Sequence, residues 1–314
     1  MNETAVAQHA EQTSPFRKAG ASEERVKIFA WGDAGAGKTT LALQFPKPVV
    51  IDFERGTSLY GGAFDFDVLH AAGADDVASA LDWLKTQPHS YSTLVLDPIT
   101  LWWDAVQRRW NDVFLKRSKA AKGYKFEYFE LGPKEWAVIK SEWKELLRKV
   151  LSLDMNVIAT ARQKTQYADG AFMQAAGVTF DGERTLPHLF DIVLHLYRDK
   201  TGRFLAEASK DRSNRLPKSE FEISYAVIAK AFGEEALARG ARPVAVATDD
   251  QRAELRRLIN ELKIPQDQVN KRLAAHGAEG LADLSSDAAD AIIVKWTAAL
   301  AARQSANPSP AKGD

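Results

Sequence analysis

The chain has 314 residues, 45% of them hydrophobic and 27% charged, which is typical of a globular protein with one large domain and a small one. It has no cysteine, no apolar run long enough to span a membrane and no signal-peptide pattern, which excludes disulfides and thiolate sites and predicts a cytoplasmic protein. Its formal net charge is +0, so any nucleic-acid site must be a local basic patch.

The first 24 residues are polar and aperiodic, which predicts a flexible N-terminal arm. Within this arm, Phe16 and Ala19 stand three residues apart. That spacing suits docking on a neighbouring subunit, but a four-residue pattern arises easily by chance, and plain disorder is the favoured interpretation.

The most specific motif lies between Val26 and Phe45. Alternation of apolar residues from Val26 to Ala30 predicts a strand, and residues 40–45 predict the start of a helix. Between them the chain fits G-x-x-x-x-G-K-[ST], the loop whose backbone amides cradle phosphates. Its lysine reaches the β- and γ-phosphates, and its threonine hydroxyl completes a Mg²⁺ shell. The predicted nucleotide-binding residues are Gly32, Asp33, Ala34, Gly35, Ala36, Gly37, Lys38, Thr39 and Thr40.

Two further predicted strands end in carboxylates. One runs from Pro48 to Glu54 and the other from Ser92 to Asp97. Carboxylates at the C-terminal ends of parallel strands lie beside the crevice where open α/β sheets bind ligands. Asp97 therefore fits the Walker B carboxylate that holds Mg²⁺ together with Thr39. The alternative is a simple N-cap of the helix that begins near Pro98.

After a predicted helix over Ile99–Phe114, the segment 116–129 mixes basic and aromatic residues around a glycine. Such a loop suits single-stranded nucleic acid, because the charges meet phosphates and the rings stack on bases. A solvated basic turn with its aromatic rings in the core is an equal alternative. The candidate DNA-binding residues of this segment are Lys116, Arg117, Lys119, Lys122, Tyr124, Lys125 and Phe126, and the resemblance given below adds Lys164.

The next segments predict a long amphipathic helix over Pro133–Leu153, with its tryptophans in the core, and a strand over Met155–Thr160. Gln163 follows that strand and is well placed to sense a γ-phosphate. We expect residues 165–187 to form a long loop without regular structure.

A hairpin is predicted from strands at 191–197 and 203–209. Lys210 and Arg212 follow it, and two residues that stand two apart on an extended segment project to the same face.

The composition changes beyond residue 248, where three short helices are predicted at 249–262, 265–276 and 285–302. The predicted organisation is an arm at 1–24, a core at 25–234, a linker at 235–248, a helical module at 249–303 and a flexible tail at 304–314.

The order of these motifs resembles the RecA-like core of phage nucleotide-binding proteins, in particular the Sak-type single-strand annealing ATPases. The resemblance covers Val26–Pro217. It implies an α/β fold: a RecA-like P-loop NTPase core with a mainly parallel central sheet, followed by a small C-terminal three-helix module. That module is similar to small helical modules appended to phage recombination proteins.

The resemblance also implies roles for individual residues. Glu54 would be the general base that activates water, and Gln163 would couple the γ-phosphate to a second DNA loop formed by residues 164–187. The basic segment 116–129 would be the first DNA loop. The implied catalytic residues are Glu54, Lys38, Gln163, Lys210 and Arg212, of which the last two would reach across a subunit boundary to the neighbour's ATP.

The implied function is an ATP- and Mg²⁺-using, DNA-dependent ATPase of phage recombination. It would bind single-stranded DNA, assemble with itself as a ring or a filament, and promote annealing or strand pairing in the bacterial host cytoplasm. Phe16–Ala19 would fit the polymerisation motif of eukaryotic-type recombinases, and a single-stranded-DNA-binding protein would meet the C-terminal module. The alternative is a nucleotide-gated adaptor or loader that recruits a replication or recombination partner through that module.

Overall fold

A computed structural model describes residues 25–122, 131–167, 174–242, 245–276, 278 and 280–306. Its strands are β1 (Lys27–Gly32), β2 (Pro48–Asp52), β3 (Asp67–His70), β4 (Thr93–Asp97), β5 (Asn156–Tyr167), β6 (Ala175–Phe180), β7 (Ile192–Arg198), β8 (Phe204–Asp211) and β9 (Phe221–Glu222). Its α-helices are α1 (Lys38–Leu43), α2 (Ala74–Thr86), α3 (Ile99–Lys122), α4 (Pro133–Ser152), α5 (Leu186–Leu189), α6 (Tyr225–Phe232), α7 (Glu234–Ala238), α8 (Asp249–Leu262), α9 (Gln266–Ala275) and α10 (Ser286–Ala306).

The strands form one sheet in the order β3–β2–β4–β5–β1–β7–β8–β9, with β6 paired to β5. The first six in this order run parallel, and β8, β9 and β6 are antiparallel to their neighbours. Parallel strands covered on both faces need near-continuous apolar sequences, and Ile28, Phe29 and Ala30 of β1 are fully buried. The predicted α/β fold with a mainly parallel sheet is confirmed.

Helices cover both faces of the sheet. On one face, α2, α3 and α4 contribute Leu81, Trp102 and Trp143 to a large apolar cluster, in which the rings of Trp102 and Trp143 lie 4.8 Å apart. On the other face, α1 and α6 contribute Leu41 and Ile228. The amphipathic helix predicted from residue 133 is therefore found as α4, with Trp143 in the core.

The loop conformation predicted for the first DNA segment is wrong in the first half of that segment, and its DNA binding stays a prediction. Residues 116–122 form the last two turns of α3, because lysine, arginine and alanine favour helix and Gly123 is the first helix breaker that follows. Lys116 and Arg117 are exposed on these turns, and Lys119 and Lys122 also belong to the helix. The predicted DNA-binding residues Tyr124, Lys125 and Phe126 lie outside the described residues.

The predicted irregular loop after residue 164 is also wrong. The strand β5 continues to Tyr167 and pairs with β6, so that Lys164 faces Thr179 and Thr165 faces Val178. Cross-strand pairing of β-branched residues stabilises such a hairpin, and this pairing is invisible to a search for one-sided apolar periodicity.

The stretch predicted as a linker from residue 235 begins inside the core. Leu237 of α7 is buried, Asn156 donates a hydrogen bond to its carbonyl oxygen, and Ala241 bonds to Tyr91. The predicted boundary is therefore corrected: the core packing continues through Arg242, which bonds to Asp154.

Beyond residue 245, the three predicted helices are present as α8, α9 and α10. They enclose an apolar cluster of their own, which includes Leu255, Leu273 and Leu284. Across the described residues, no helix is both long and apolar enough to cross a lipid bilayer.

Candidate functional site

The C-terminal ends of the parallel strands bring the predicted nucleotide residues to one edge of the sheet. In register, Asp52 of β2 lies beside Asp97 of β4, and Gly32 of β1 lies between Arg162 of β5 and Leu196 of β7. The motifs that are far apart in sequence therefore open onto a single cavity. It has a volume of about 440 Å³ and is lined by Gly32, Asp33, Ala34, Gly35, Lys38, Thr39, Asp52, Glu54, Gly56, Thr57, Leu59, Tyr60, Asp97, Pro98, Arg162 and Gln163.

Two glycines of the phosphate loop are required by its surroundings. A Cβ at Gly32 would lie 2.0 Å from the carbonyl oxygen of Leu196, so the loop leaves β1 where no side chain fits. Gly37 has φ +85°, and a Cβ there would lie 2.9 Å from the ring of Phe204. The remaining loop residues Ala34 and Ala36 are small, and Thr40 follows in α1.

The ammonium group of Lys38 lies folded against this loop. Its Nζ donates hydrogen bonds to the carbonyl oxygens of Gly32 at 2.9 Å and of Asp33 at 2.7 Å. Burial lowers the pKa of Lys38, while the nearby carboxylates of Asp97, Asp33 and Glu54 act in the opposite direction. A desolvated ammonium beside backbone amides is suited to bind the phosphates of a nucleotide.

Thr39 and Asp97, the predicted Mg²⁺ residues, lie in contact. The Thr39 hydroxyl donates to Asp97 Oδ2 at 2.7 Å, and Thr160 of β5 donates to Oδ1. Burial raises the pKa of Asp97, although these two hydrogen bonds lower it. A buried carboxylate whose charge is only partly compensated by hydroxyl donors is a fitting ligand for a divalent cation.

The oxygen donors therefore fit Mg²⁺. Within the described ranges, no group of three or more histidine, aspartate or glutamate side chains could hold a metal ion. Mg²⁺ is commonly held by one or two protein oxygens together with substrate phosphates and water. Thr39 and Asp97 would supply the protein oxygens here, and the bound ion would neutralise charge on the phosphates.

Asp52 has a structural task beside the cavity. Its two oxygens accept hydrogen bonds from the backbone of Glu54, Arg55 and Thr57 and from the Thr57 hydroxyl. Burial alone would raise its pKa, but the hydrogen bonds from Thr57 and its neighbours hold the pKa below the usual value. Asp52 thus fixes the turn that carries Glu54.

Glu54, the predicted general base, lines the cavity with 41% of its side chain exposed. Its Oε1 accepts two hydrogen bonds from Arg162, from Nε at 2.9 Å and from a terminal nitrogen at 2.7 Å. No sequence motif assigns a role to Arg162. The only available signal was its position directly before Gln163.

Gln163 also lies where predicted, one strand from Asp97 and on the cavity wall. Its Oε1 is 3.1 Å from Nε2 of His195, which turns its amide nitrogen away from His195. The ring of His195 is stacked on Trp31 at 3.9 Å, and burial lowers its pKa. No sequence spacing links His195 to Gln163, since the two residues are 32 positions apart.

Lys210 and Arg212 lie away from this cavity. Lys210 pairs with Val193 near the start of β7, whereas the phosphate loop follows the far end of the neighbouring strand β1. Lys210 Nζ donates to the carbonyl oxygens of Pro187, His188 and Phe190, and Arg212 is 2.9 Å from Asp191. Burial lowers the pKa of Lys210, followed by the charge of Arg212.

The second predicted DNA segment begins at the cavity and leaves it as a hairpin. Thr100, which is buried after Asp97 in α3, accepts a hydrogen bond from the backbone of Arg162 and donates one to the carbonyl of Asp181. Lys164 forms an exposed salt bridge with Asp181 at 2.9 Å. The base of the hairpin β5–β6 is therefore bonded to the helix that follows the predicted Mg²⁺ ligand.

Comparison with known proteins adds a family assignment. Residues 24–215 match the family model described as AAA domain, and this match covers more than half of the chain. The chain therefore belongs to this family of P-loop, AAA-type nucleotide-binding domains. The search of curated proteins found no match.

Proposed function

We propose that this AAA-domain protein is a DNA-dependent ATPase that binds single-stranded DNA and promotes annealing or strand pairing in phage recombination. ATP and Mg²⁺ would occupy the cavity beside Lys38, Thr39 and Asp97. The proposal goes beyond the family match, which by itself supports a nucleotide-binding domain and NTPase activity.

The observation that carries the DNA proposal is the continuity of β5. Along this strand, Thr160 bonds to the predicted Mg²⁺ ligand, Arg162 and Gln163 line the nucleotide cavity, and Lys164 opens an exposed hairpin. A change at the terminal phosphate could therefore reach the hairpin through one rigid element. A basic residue on an exposed hairpin is suited to contact a phosphate backbone.

ATP would be held between subunits of an oligomer. Lys210 and Arg212 lie at the opposite ends of the strands from the nucleotide cavity of their own chain, which supports contact with a nucleotide bound to a second copy. Head-to-tail contact of unlike edges produces rings or filaments. The edge with Arg212 carries a cavity of about 640 Å³ lined also by Arg25, Lys27 and Arg215, with one carboxylate, Asp191.

The test is ATP hydrolysis with and without single-stranded DNA across a salt series, together with annealing of complementary strands. We expect DNA to stimulate hydrolysis and the stimulation to fall with salt, because counterions are released on binding. Lys116→Ala and Lys164→Ala should each reduce the slope of log affinity against log salt by about one. Lys218→Ala, an exposed lysine outside both segments, is the matched control. Hydrolysis that is indifferent to DNA at every salt concentration would contradict the proposal.

A nucleotide-gated adaptor or loader is the second candidate. The observation that favours it is the helical module with its own apolar cluster, which offers a separate surface for a partner such as a single-stranded-DNA-binding protein. Deleting residues 249–314 should leave hydrolysis intact under both proposals. Annealing that survives the deletion supports the first candidate, whereas DNA-independent hydrolysis with loss of partner recruitment supports the second.

A further inference from the structure

Glu54 and Arg162 form an ion pair on the wall of the predicted nucleotide cavity. Two nitrogens of the Arg162 guanidinium, Nε and Nη2, donate to the same oxygen of Glu54, Oε1, at 2.9 and 2.7 Å. In the described part of the chain, these are the only hydrogen bonds to the Glu54 carboxylate. The residue predicted to accept a proton from water is therefore occupied by a cation.

The backbone of Arg162 is fixed, but its side chain is not. Its N–H donates to Thr100, its carbonyl accepts from Asp181, and its strand position is paired with Gly32. The side chain is 53% exposed and has its described polar contacts with Glu54 alone. A long side chain anchored at its base and bonded only at its tip can change partner without moving the strand.

The cavity also offers a second partner for Arg162, namely the terminal phosphate of a bound nucleotide. Arg162 opens onto the same space as Lys38 and Thr39, the residues placed to bind the β- and γ-phosphates. A terminal phosphate carries more negative charge than a carboxylate, and the planar guanidinium matches its oxygens in a two-pronged contact. An exposed arginine–carboxylate pair is weak enough to be displaced by such a ligand.

We propose that Arg162 exchanges partners when a nucleoside triphosphate binds: it leaves Glu54 and contacts the γ-phosphate. This inference rests on the proposed ATP binding, and it adds Arg162 as a residue that recognises the γ-phosphate and controls when Glu54 is free. The exchange frees Glu54 to take a proton from the attacking water. The water oxygen then bonds to the γ-phosphorus while the bond to the β-phosphate oxygen breaks, which yields ADP and phosphate. With ADP there is no γ-phosphate to contact, and the Glu54–Arg162 pair persists.

The experiment measures binding without hydrolysis. Equilibrium affinities of the full-length protein for Mg²⁺-AMP-PNP and for Mg²⁺-ADP are compared between the wild type and Arg162→Gln. We expect affinity for AMP-PNP to fall about tenfold, the size of a lost charge-assisted contact, with the affinity for ADP unchanged. Unchanged ADP binding also shows that the variant is folded. The affinity of Arg162→Lys for AMP-PNP should lie between those of the wild type and Arg162→Gln, because lysine keeps the charge but loses the two-pronged guanidinium contact.

A second variant tests the exchange itself. Glu54→Ala removes the competing partner, so it should bind AMP-PNP more tightly than the wild type, and Arg162→Gln should abolish that gain in the double variant. Arg257→Gln, which breaks exposed pairs in α8, is the matched control and should change neither affinity. Equal losses for AMP-PNP and ADP in Arg162→Gln, or no loss for either, would overturn the inference and leave the proposed ATPase standing. Failure of the wild type to bind AMP-PNP would overturn both.

Discussion

The contact between Gly37 and Phe204 offers a quantitative test of how the phosphate loop is held. Gly37 needs a left-handed backbone, φ +85°, and its missing side chain leaves room for the Phe204 ring. In Gly37→Ala, the left-handed conformation costs about 1–2 kcal/mol. The Cβ at 2.9 Å from the ring adds an overpacking cost of about 1–3 kcal/mol. We expect the free energy of unfolding to fall by about 2–5 kcal/mol.

Gly35 provides the matched control. It also has a left-handed backbone, φ +74°, but a Cβ there would meet nothing within 4 Å. Gly35→Ala should therefore cost only the backbone term of about 1–2 kcal/mol. In a Phe204→Ala background, Gly37→Ala should lose its additional cost and become equal to Gly35→Ala. The measurement is urea unfolding followed by tryptophan fluorescence. Equal costs for both glycines in the wild-type background, or no recovery with Phe204→Ala, would refute the reasoning.

Three further variants test the site and the charges around it. Glu54→Gln keeps the shape of the side chain but loses the base, so single-turnover hydrolysis should fall about 10²–10⁴-fold while ATP binds at least as tightly as it does to the wild type; an unchanged rate would place the base elsewhere. Lys210→Ala with Arg212→Ala should be inactive alone and regain hydrolysis when mixed with inactive Lys38→Ala subunits, and no recovery would argue against a site shared between subunits. Burial lowers the pKa of Lys27 to about 8, below the value of the unfolded chain, so the folded state loses a proton first and stability rises with pH across this window. Relative to Lys27→Met, the wild type should gain about 2 kcal/mol between pH 8 and 10 in chemical unfolding; a flat difference would contradict the assignment.

The phosphate loop and the two strands that end in Glu54 and Asp97 could be predicted from the sequence. Each depends on residues that are close together in the chain, where spacing, apolar runs and glycines determine the local geometry. The parallel sheet followed from the same local patterns, because apolar strands separated by amphipathic helices pack in few ways. The C-terminal helices were predictable for the same reason: capping and periodicity are local signals.

The three predictions that the structure corrects each failed for a reason that is local in the sequence. The basic segment after residue 114 combines strong helix formers with charged and aromatic residues, so the same composition is compatible with a helix and with a nucleic-acid-binding loop. The hairpin β5–β6 was missed because the part of β5 beyond Ala161 is polar and largely exposed, and most of β6 is exposed too. The boundary near residue 235 was missed because a short alanine-rich segment resembles a linker in sequence. Only the packed structure shows that its Leu237 is buried in the core.

The partners of the site residues were decided by tertiary structure alone. Arg162 is 108 residues from Glu54, Thr160 is 63 from Asp97, and His195 is 32 from Gln163. Each contact exists because β5 lies between β4 and β1, and β7 lies on the other side of β1. Strand order and register are collective properties of the packed sheet. The sequence by itself therefore determined which groups could do chemistry, while the fold determined which of them meet.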